Sequence, residues 1–166
     1  NHVNLRFGPG SKNQRTPAFG KLQEQLLKGF EFNQFHVGLP PQKISETVRL
    51  KSLEIKGFKS FADKTVLNFD EGITGVIGPN GCGKGNIIDS IRWVIGEHKI
   101  SNLRSENLES LVFNGSKTRS ASGLAEVSLT FENTKNLLPT EFNTVTITRK
   151  YYKSGESEYR LNDVAC

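Results

Sequence analysis

The stretch Gly78-Pro79-Asn80-Gly81-Cys82-Gly83-Lys84-Gly85 constrains the fold of this chain more than any other. It follows the phosphate-loop pattern G-x-x-x-x-G-K-[ST] at every position but the last. Its flanks suit that pattern. Ile73-Thr74-Gly75-Val76-Ile77 is short, β-branched and bounded by glycines, which predicts a buried strand. Beyond the loop, Ile87, Ile88, Ile91, Val94 and Ile95 recur at helical spacing, with Asp89, Ser90 and Arg92 between them. A strand, a glycine loop and a helix in that order turn backbone N–H groups toward one point, and the helix N-terminus adds partial positive charge there. Lys84 is then within reach of the β- and γ-phosphates of a nucleotide. At the eighth position the pattern calls for a serine or threonine whose hydroxyl ligates Mg2+, and this chain has Gly85. Phosphate cradling survives that change, whereas metal-dependent hydrolysis is placed in doubt.

A length of 166 residues implies one domain, or one domain with an appendage, and suffices to bury a core. Hydrophobic residues make up 35% of the chain and the mean hydropathy is −0.44, and no apolar run approaches the roughly 18 residues that span a bilayer. No membrane partner is therefore expected. The opening residues, Asn1 to Arg6, lack the charged-then-apolar layout of a secretory signal. Two cysteines, Cys82 and Cys166, build no disulfide framework, so a reducing cytoplasm is the expected setting. A net charge of +5 permits contact with nucleic acid or nucleotide, and solvated surface lysines explain it equally well. The chain holds no methionine and breaks off at Asn162-Asp163-Val164-Ala165-Cys166, which reads as a piece of a longer polypeptide.

Residues 1–47 differ in character from the rest. Gly8 to Arg15 is loop by composition, Thr16-Pro17 suits a helix start, and Phe19, Leu22, Leu26, Leu27 and Phe30 share one face. This stretch reads as a weakly ordered extension with one short helix, or else an arm that docks on a partner. From Val48 onward the alternation tightens. Arg49 to Lys56 is expected as a strand with Leu53 and Ile55 on one face, and Thr65 to Phe69 as a second. Gly96-Glu97-His98 ends the helix after the loop, and Asn107 to Val112 suggests a helical turn. Ala125–Phe131, Thr144–Tyr152 and Ser157–Leu161 read as strands, the last two joined through Lys153-Ser154-Gly155-Glu156. One loop helix followed by hairpin strands departs from the regular βαβ of small kinases and GTPases. It suits a nucleotide-binding core with a strand-rich side.

The segment from Val48 to Cys166 resembles the N-terminal head of the bacterial chromosome-partition SMC (structural maintenance of chromosomes) family. The resemblance rests on Gly57-Phe58-Lys59-Ser60-Phe61-Ala62, on Gly78 to Lys84, and on Asn86 to Glu97. It continues through Leu103-Arg104-Ser105, Val112 to Ser116 and Tyr159-Arg160-Leu161-Asn162. It implies an α/β fold, a P-loop NTPase and ABC-ATPase-like head lobe with a mixed sheet and an antiparallel strand-rich side, present here as an incomplete fragment of residues 48–166. It also implies ATP as ligand, with Mg2+ usual for the family. Gly78, Pro79, Asn80, Gly81, Cys82, Gly83, Lys84 and Gly85 take the loop role, with Asn86 beside them. Lys59, Ser60 and Phe61 match a turn that approaches the nucleotide, and Arg104 matches an arginine loop that approaches nucleotide and DNA. The implied partners are the C-terminal half of the same head, a second head, DNA and non-SMC accessory subunits, in a nucleoid-associated protein.

Other residues carry weaker expectations. Lys117 and Arg119 lie in a polar loop where DNA phosphates or plain solvent would satisfy them. Cys82 is a small loop filler or a thiol activated by the helix end, and His98 stands where it can cap the helix C-terminus. In the family, the signature motif, the Walker B aspartate and the catalytic glutamate come from a distant C-terminal segment. The parent protein is therefore expected to be an ATPase, and this segment alone not to be competent for hydrolysis; no metal ligand is assigned. Two alternatives stand beside this reading: the head of a related recombination or repair ATPase, and a nucleotide-inert structural or partner-binding fragment.

Overall fold

The computed structural model describes residues 48–166, together with Gly20, Lys21 and Glu24, which are helical. The rest of the expected helix near the N-terminus lies outside the described residues. Six strands form one sheet in the order β2-β1-β3-β4-β5-β6: β1 Arg49–Lys56, β2 Thr65–Asn68, β3 Leu124–Glu132, β4 Thr144–Tyr152, β5 Ser157–Leu161 and β6 Val164–Ala165. Within residues 48–166 one α-helix, α1, runs from Lys84 to Ile95. Two short 3₁₀ turns, Ile100–Leu103 and Glu109–Leu111, follow it; the second falls on the helical turn expected around residues 107–112.

Strand alternation decides which side of the sheet is buried. Leu53 and Ile55 of β1 pair with Leu129 and Val127 of β3, which pair in turn with Ile147 and Arg149 of β4. These side chains, with Phe131, Val145 and Tyr151, make one face of the sheet. Trp93, Val94 and Ile95 of α1 close over it, joined by Phe58, Leu103, Leu111 and Val112. The opposite face is a polar ladder: Ser128 and Thr148 hydroxyls stand 2.8 Å apart, and those of Thr130 and Thr146 3.1 Å apart. Cross-strand pairs of this kind satisfy the hydroxyls within the sheet.

The antiparallel, strand-rich side of an α/β head lobe is thus formed as expected, with α1 packed on one face. Every pairing among the described residues is antiparallel. The expected buried strand at residues 73–77 is absent: Ile73-Thr74-Gly75-Val76-Ile77 carries no strand pairing, and Ile73 and Ile77 are fully exposed. The reason is geometric. A short strand holds only through ladder partners, and none of the six described strands runs beside this segment. Any parallel pairing of a mixed sheet would need strands beyond those described.

The β1–β2 connection reaches the loop through a glycine that no other residue could replace. Gly57 has φ +62°, and a Cβ there would collide with the Leu124 carbonyl. Phe58 and Phe61 then close a tight turn by exchanging backbone hydrogen bonds of 3.1 and 2.8 Å.

Candidate phosphate-binding site

The loop is exposed from Gly78 to Cys82, half-buried at Gly83, and leads directly into α1. Gly83 is the N-cap in the left-handed region (φ 93°), no side chain caps the helix, and the first turn holds no acidic residue. Asn86 N–H donates to the Gly83 carbonyl at 2.9 Å, while the N–H groups of Lys84 and Gly85 stand at the open helix start, the positive end of its dipole. The Lys84 ammonium folds back over the loop, donating to the carbonyls of Gly78 and Pro79, the latter at 2.6 Å. Cys82 Sγ lies 3.9 Å from that nitrogen, exposed. An ammonium resting on loop carbonyls is a cation within reach of an incoming anion. Such a loop offers donors and positive charge to an anion, with the free Cys82 thiol beside them.

Two of the flanking expectations meet at the loop. Asn86 Nδ2 donates to Ser60 Oγ at 2.9 Å, and a Cβ on Gly83 would lie 2.8 Å from that same oxygen. Ser60 therefore forms the rim of the loop, and Gly83 must be glycine both for its φ and for this approach. Lys59 and Phe61 take other positions. Phe61 packs partly buried against the core. The Lys59 ammonium turns inward, donating to Asp89 Oδ2 at 2.7 Å and to the Leu103 carbonyl.

Asp89, buried on α1, is the residue that sequence reasoning missed as part of the site. It also receives Arg104 Nη2 at 2.6 Å and Nε at 3.2 Å. That hydrogen bond first, and the carboxylate charge second, raise the Arg104 pKa above its ordinary value. Both cations sit on backbones in the left-handed region, Lys59 at φ 48° and Arg104 at φ 51°. Non-glycine residues there cost roughly 1–3 kcal/mol each, so the surrounding contacts hold them in place. Glu97 fixes the approach to Arg104, accepting from Lys99 N and Asn102 Nδ2 at 2.8 Å each. The Asn102 bond, and next the Lys99 backbone bond, lower its pKa.

A metal ion does not fit the loop in its usual way. Gly85 brings no hydroxyl, and a Cβ there would stand 2.5 Å from Arg104 Nη1 and 2.8 Å from Cζ. Among the described residues no three His, Cys, Asp or Glu side chains group to hold a metal.

The other end of α1 is also tied down. Gly96 N–H reaches back to the carbonyls of Arg92 and Trp93, and Arg149 Nη1 donates to Trp93 O at 2.8 Å and Glu97 O at 3.3 Å. One cation at this helix end is Arg149, buried between the rings of Trp93 and Tyr159 at 4.9 and 4.8 Å; Arg92 lies in the last turn, and the backbone cap is made by Gly96. Its signal was present: alternation along Thr144–Tyr152 puts Arg149 on the face of Val145, Ile147 and Tyr151. Lys117 is exposed, and Arg119 is paired with Asp63.

The RecF/RecN/SMC N terminal domain family matches residues 49–166. The chain belongs to that family. A chromosome partition protein Smc from Myxococcus xanthus (strain DK1622) is 49% identical over 123 residues, covering 72% of this chain and 10% of the relative. The chain therefore spans about a tenth of the length of such a relative. A structure described under ATP-driven dimerization and DNA stimulated activation of SMC ATPases superposes with a TM-score of 0.68 at 36% identity, over 70% of this chain and 71% of that one. The Pyrococcus furiosus Smc head domain, with an extended coiled coil and bound to the C-terminal domain of ScpA, gives a TM-score of 0.70 at 36% identity over 72% and 30% of the two chains. The described residues are thus an SMC N-terminal head segment with an ABC-ATPase head fold. No helix among them is long and apolar enough to cross a membrane.

Proposed function

We propose that residues 48–166 are the ATP-binding lobe of an SMC-type head that acts in chromosome organisation and segregation, with residues 1–47 as an extension outside it. The observation that carries this reading is the open loop Gly78–Gly83 on the uncapped start of α1, with the Lys84 ammonium resting on its carbonyls. Gly78, Pro79, Asn80, Gly81, Cys82, Gly83, Lys84 and Gly85 would wrap the phosphates, with Ser60 and Asn86 at the rim. Lys59 and Phe61 would act by holding that rim, and Arg104 would face the nucleotide from the neighbouring turn.

The assembled head is where hydrolysis and partners belong in this reading. Ile73, Val76, Ile77 and Ile88 are exposed apolar side chains beside the loop, which suits coverage by the C-terminal half of the head. In the same reading the assembled head would engage a second head, entrap DNA, take a ScpA-like accessory subunit and sit at the nucleoid. Similarity to Smc heads, one of them bound to the C-terminal domain of ScpA, supports this. Calorimetric titration of ATP into the chain and into Lys84→Ala tests the core of the proposal. ATP binding that is lost in Lys84→Ala, with the far-ultraviolet dichroism of the variant unchanged, is the expected result. Equal binding by both chains would remove the loop from the reading, and binding by neither would favour a nucleotide-inert fragment.

A further inference from the structure

Position 85 and Arg104 are packed as one unit. The absence of a side chain at Gly85 leaves a slot on the first turn of α1, and the Arg104 guanidinium fills it, with Nη1 at 2.5 Å from where a Cβ would be. Arg104 is held there by Asp89 through Nε and Nη2, which leaves Nη1 without a hydrogen bond to any described residue. A guanidinium has five N–H donors, so several remain for a ligand. Lys59, Arg104 and Asp89 together carry two positive charges and one negative, so a net positive charge stands at the phosphate end of the helix. The left-handed backbone of Arg104 is the local distortion that brings the side chain to this slot.

We propose that Arg104 takes the place of the hydroxyl-bound divalent cation in this chain, so that the loop binds a nucleoside triphosphate without Mg2+. The inference rests on the loop being the nucleotide site. Two features support it over simple loss of the metal ligand. The slot is occupied by a cation rather than by solvent or an apolar side chain. That cation also presents free donors in the planar arrangement that suits phosphate oxygens. Restoring a serine at position 85 is then no simple repair, because its side chain and the guanidinium compete for one space.

The test is ATP affinity measured by calorimetry, in excess EDTA and in excess Mg2+, for the 166-residue chain, Arg104→Gln, Gly85→Ser and Lys84→Ala. The parent chain is expected to bind equally in both conditions, within about twofold. A charge-assisted contact carries roughly ten- to a hundredfold in affinity, so Arg104→Gln should weaken binding in EDTA by at least about tenfold. Gly85→Ser should weaken binding in EDTA to a similar extent and recover it with Mg2+. Arg104 is mostly exposed, and thermal midpoints check that its variant stays folded. A parent affinity that rises tenfold with Mg2+, or Arg104→Gln binding in EDTA like the parent, overturns this inference while leaving the loop assignment intact. Parent binding that Lys84→Ala does not diminish, or no binding at all, overturns the assignment and the inference with it.

Discussion

Replacing Asp89 by asparagine should cost this fold more than any other single polar change near the loop. The side chain of Asp89 is 3% exposed and serves two cations with different surroundings. Lys59 is 10% exposed and has one other acceptor, the Leu103 carbonyl. Arg104 is 60% exposed, so water replaces its lost partner and the change there costs at most about 1 kcal/mol. Leaving a buried charge unpaired costs about 3–5 kcal/mol, and the remaining Leu103 contact puts Lys59 at the lower end. The total for Asp89→Asn is therefore about 3–4 kcal/mol. For a folded unit of this size that is roughly 12–16 °C in the thermal midpoint, at about 4 °C per kcal/mol. Circular dichroism melts of the chain, Asp89→Asn and Arg104→Gln give the comparison directly. An Asp89→Asn midpoint within about 3 °C of the parent would refute the weighting, as would an Arg104→Gln loss equal to it.

Other consequences are separable from this one. Trp93 is fully buried, tilted against Phe58 at a centroid distance of 5.3 Å and lying under the Arg149 guanidinium. Its replacement by alanine should cost about 3–5 kcal/mol in urea unfolding, and a loss below about 1 kcal/mol would mean the helix does not dock as described. Glu97 gives a pH dependence. Its folded pKa is lowered by Asn102 and Lys99, so its contribution is full above the unfolded carboxylate value of about 4.3 and is lost as pH falls through the folded value. Acid titration of stability should therefore be shallower for Glu97→Gln below about pH 4.3, and identical slopes would count against the bracing role.

Much of the fold was legible because its signals are local. Alternation along β1, β3, β4 and β5 marks the buried face, and the observed strand bounds differ from the expected ones by a residue or so. Gly96 ends α1 where the pattern stops. The loop's glycines announce its backbone before any contact is known. Three features were not legible, each for a physical reason. Asp89 reads as a polar position on an amphipathic helix, and only the tertiary turn of Lys59 and Arg104 makes it a shared anchor. The pattern places Arg149 on the core face but does not say that the open carbonyls of a helix end await it there. The apolar run at residues 73–77 has a strand's composition, but strand formation depends on partners that composition cannot supply.

The most direct measurement is hydrogen exchange of the chain with and without ATP, resolved across the loop. Slowed exchange is expected at the amides of Gly81, Cys82, Gly83, Lys84 and Gly85, where phosphate oxygens would accept from the loop and the first turn of α1, and no slowing in Lys84→Ala. ATP binding that leaves these amides unchanged, or protects only residues elsewhere in the sheet, would contradict the assignment of the phosphate site.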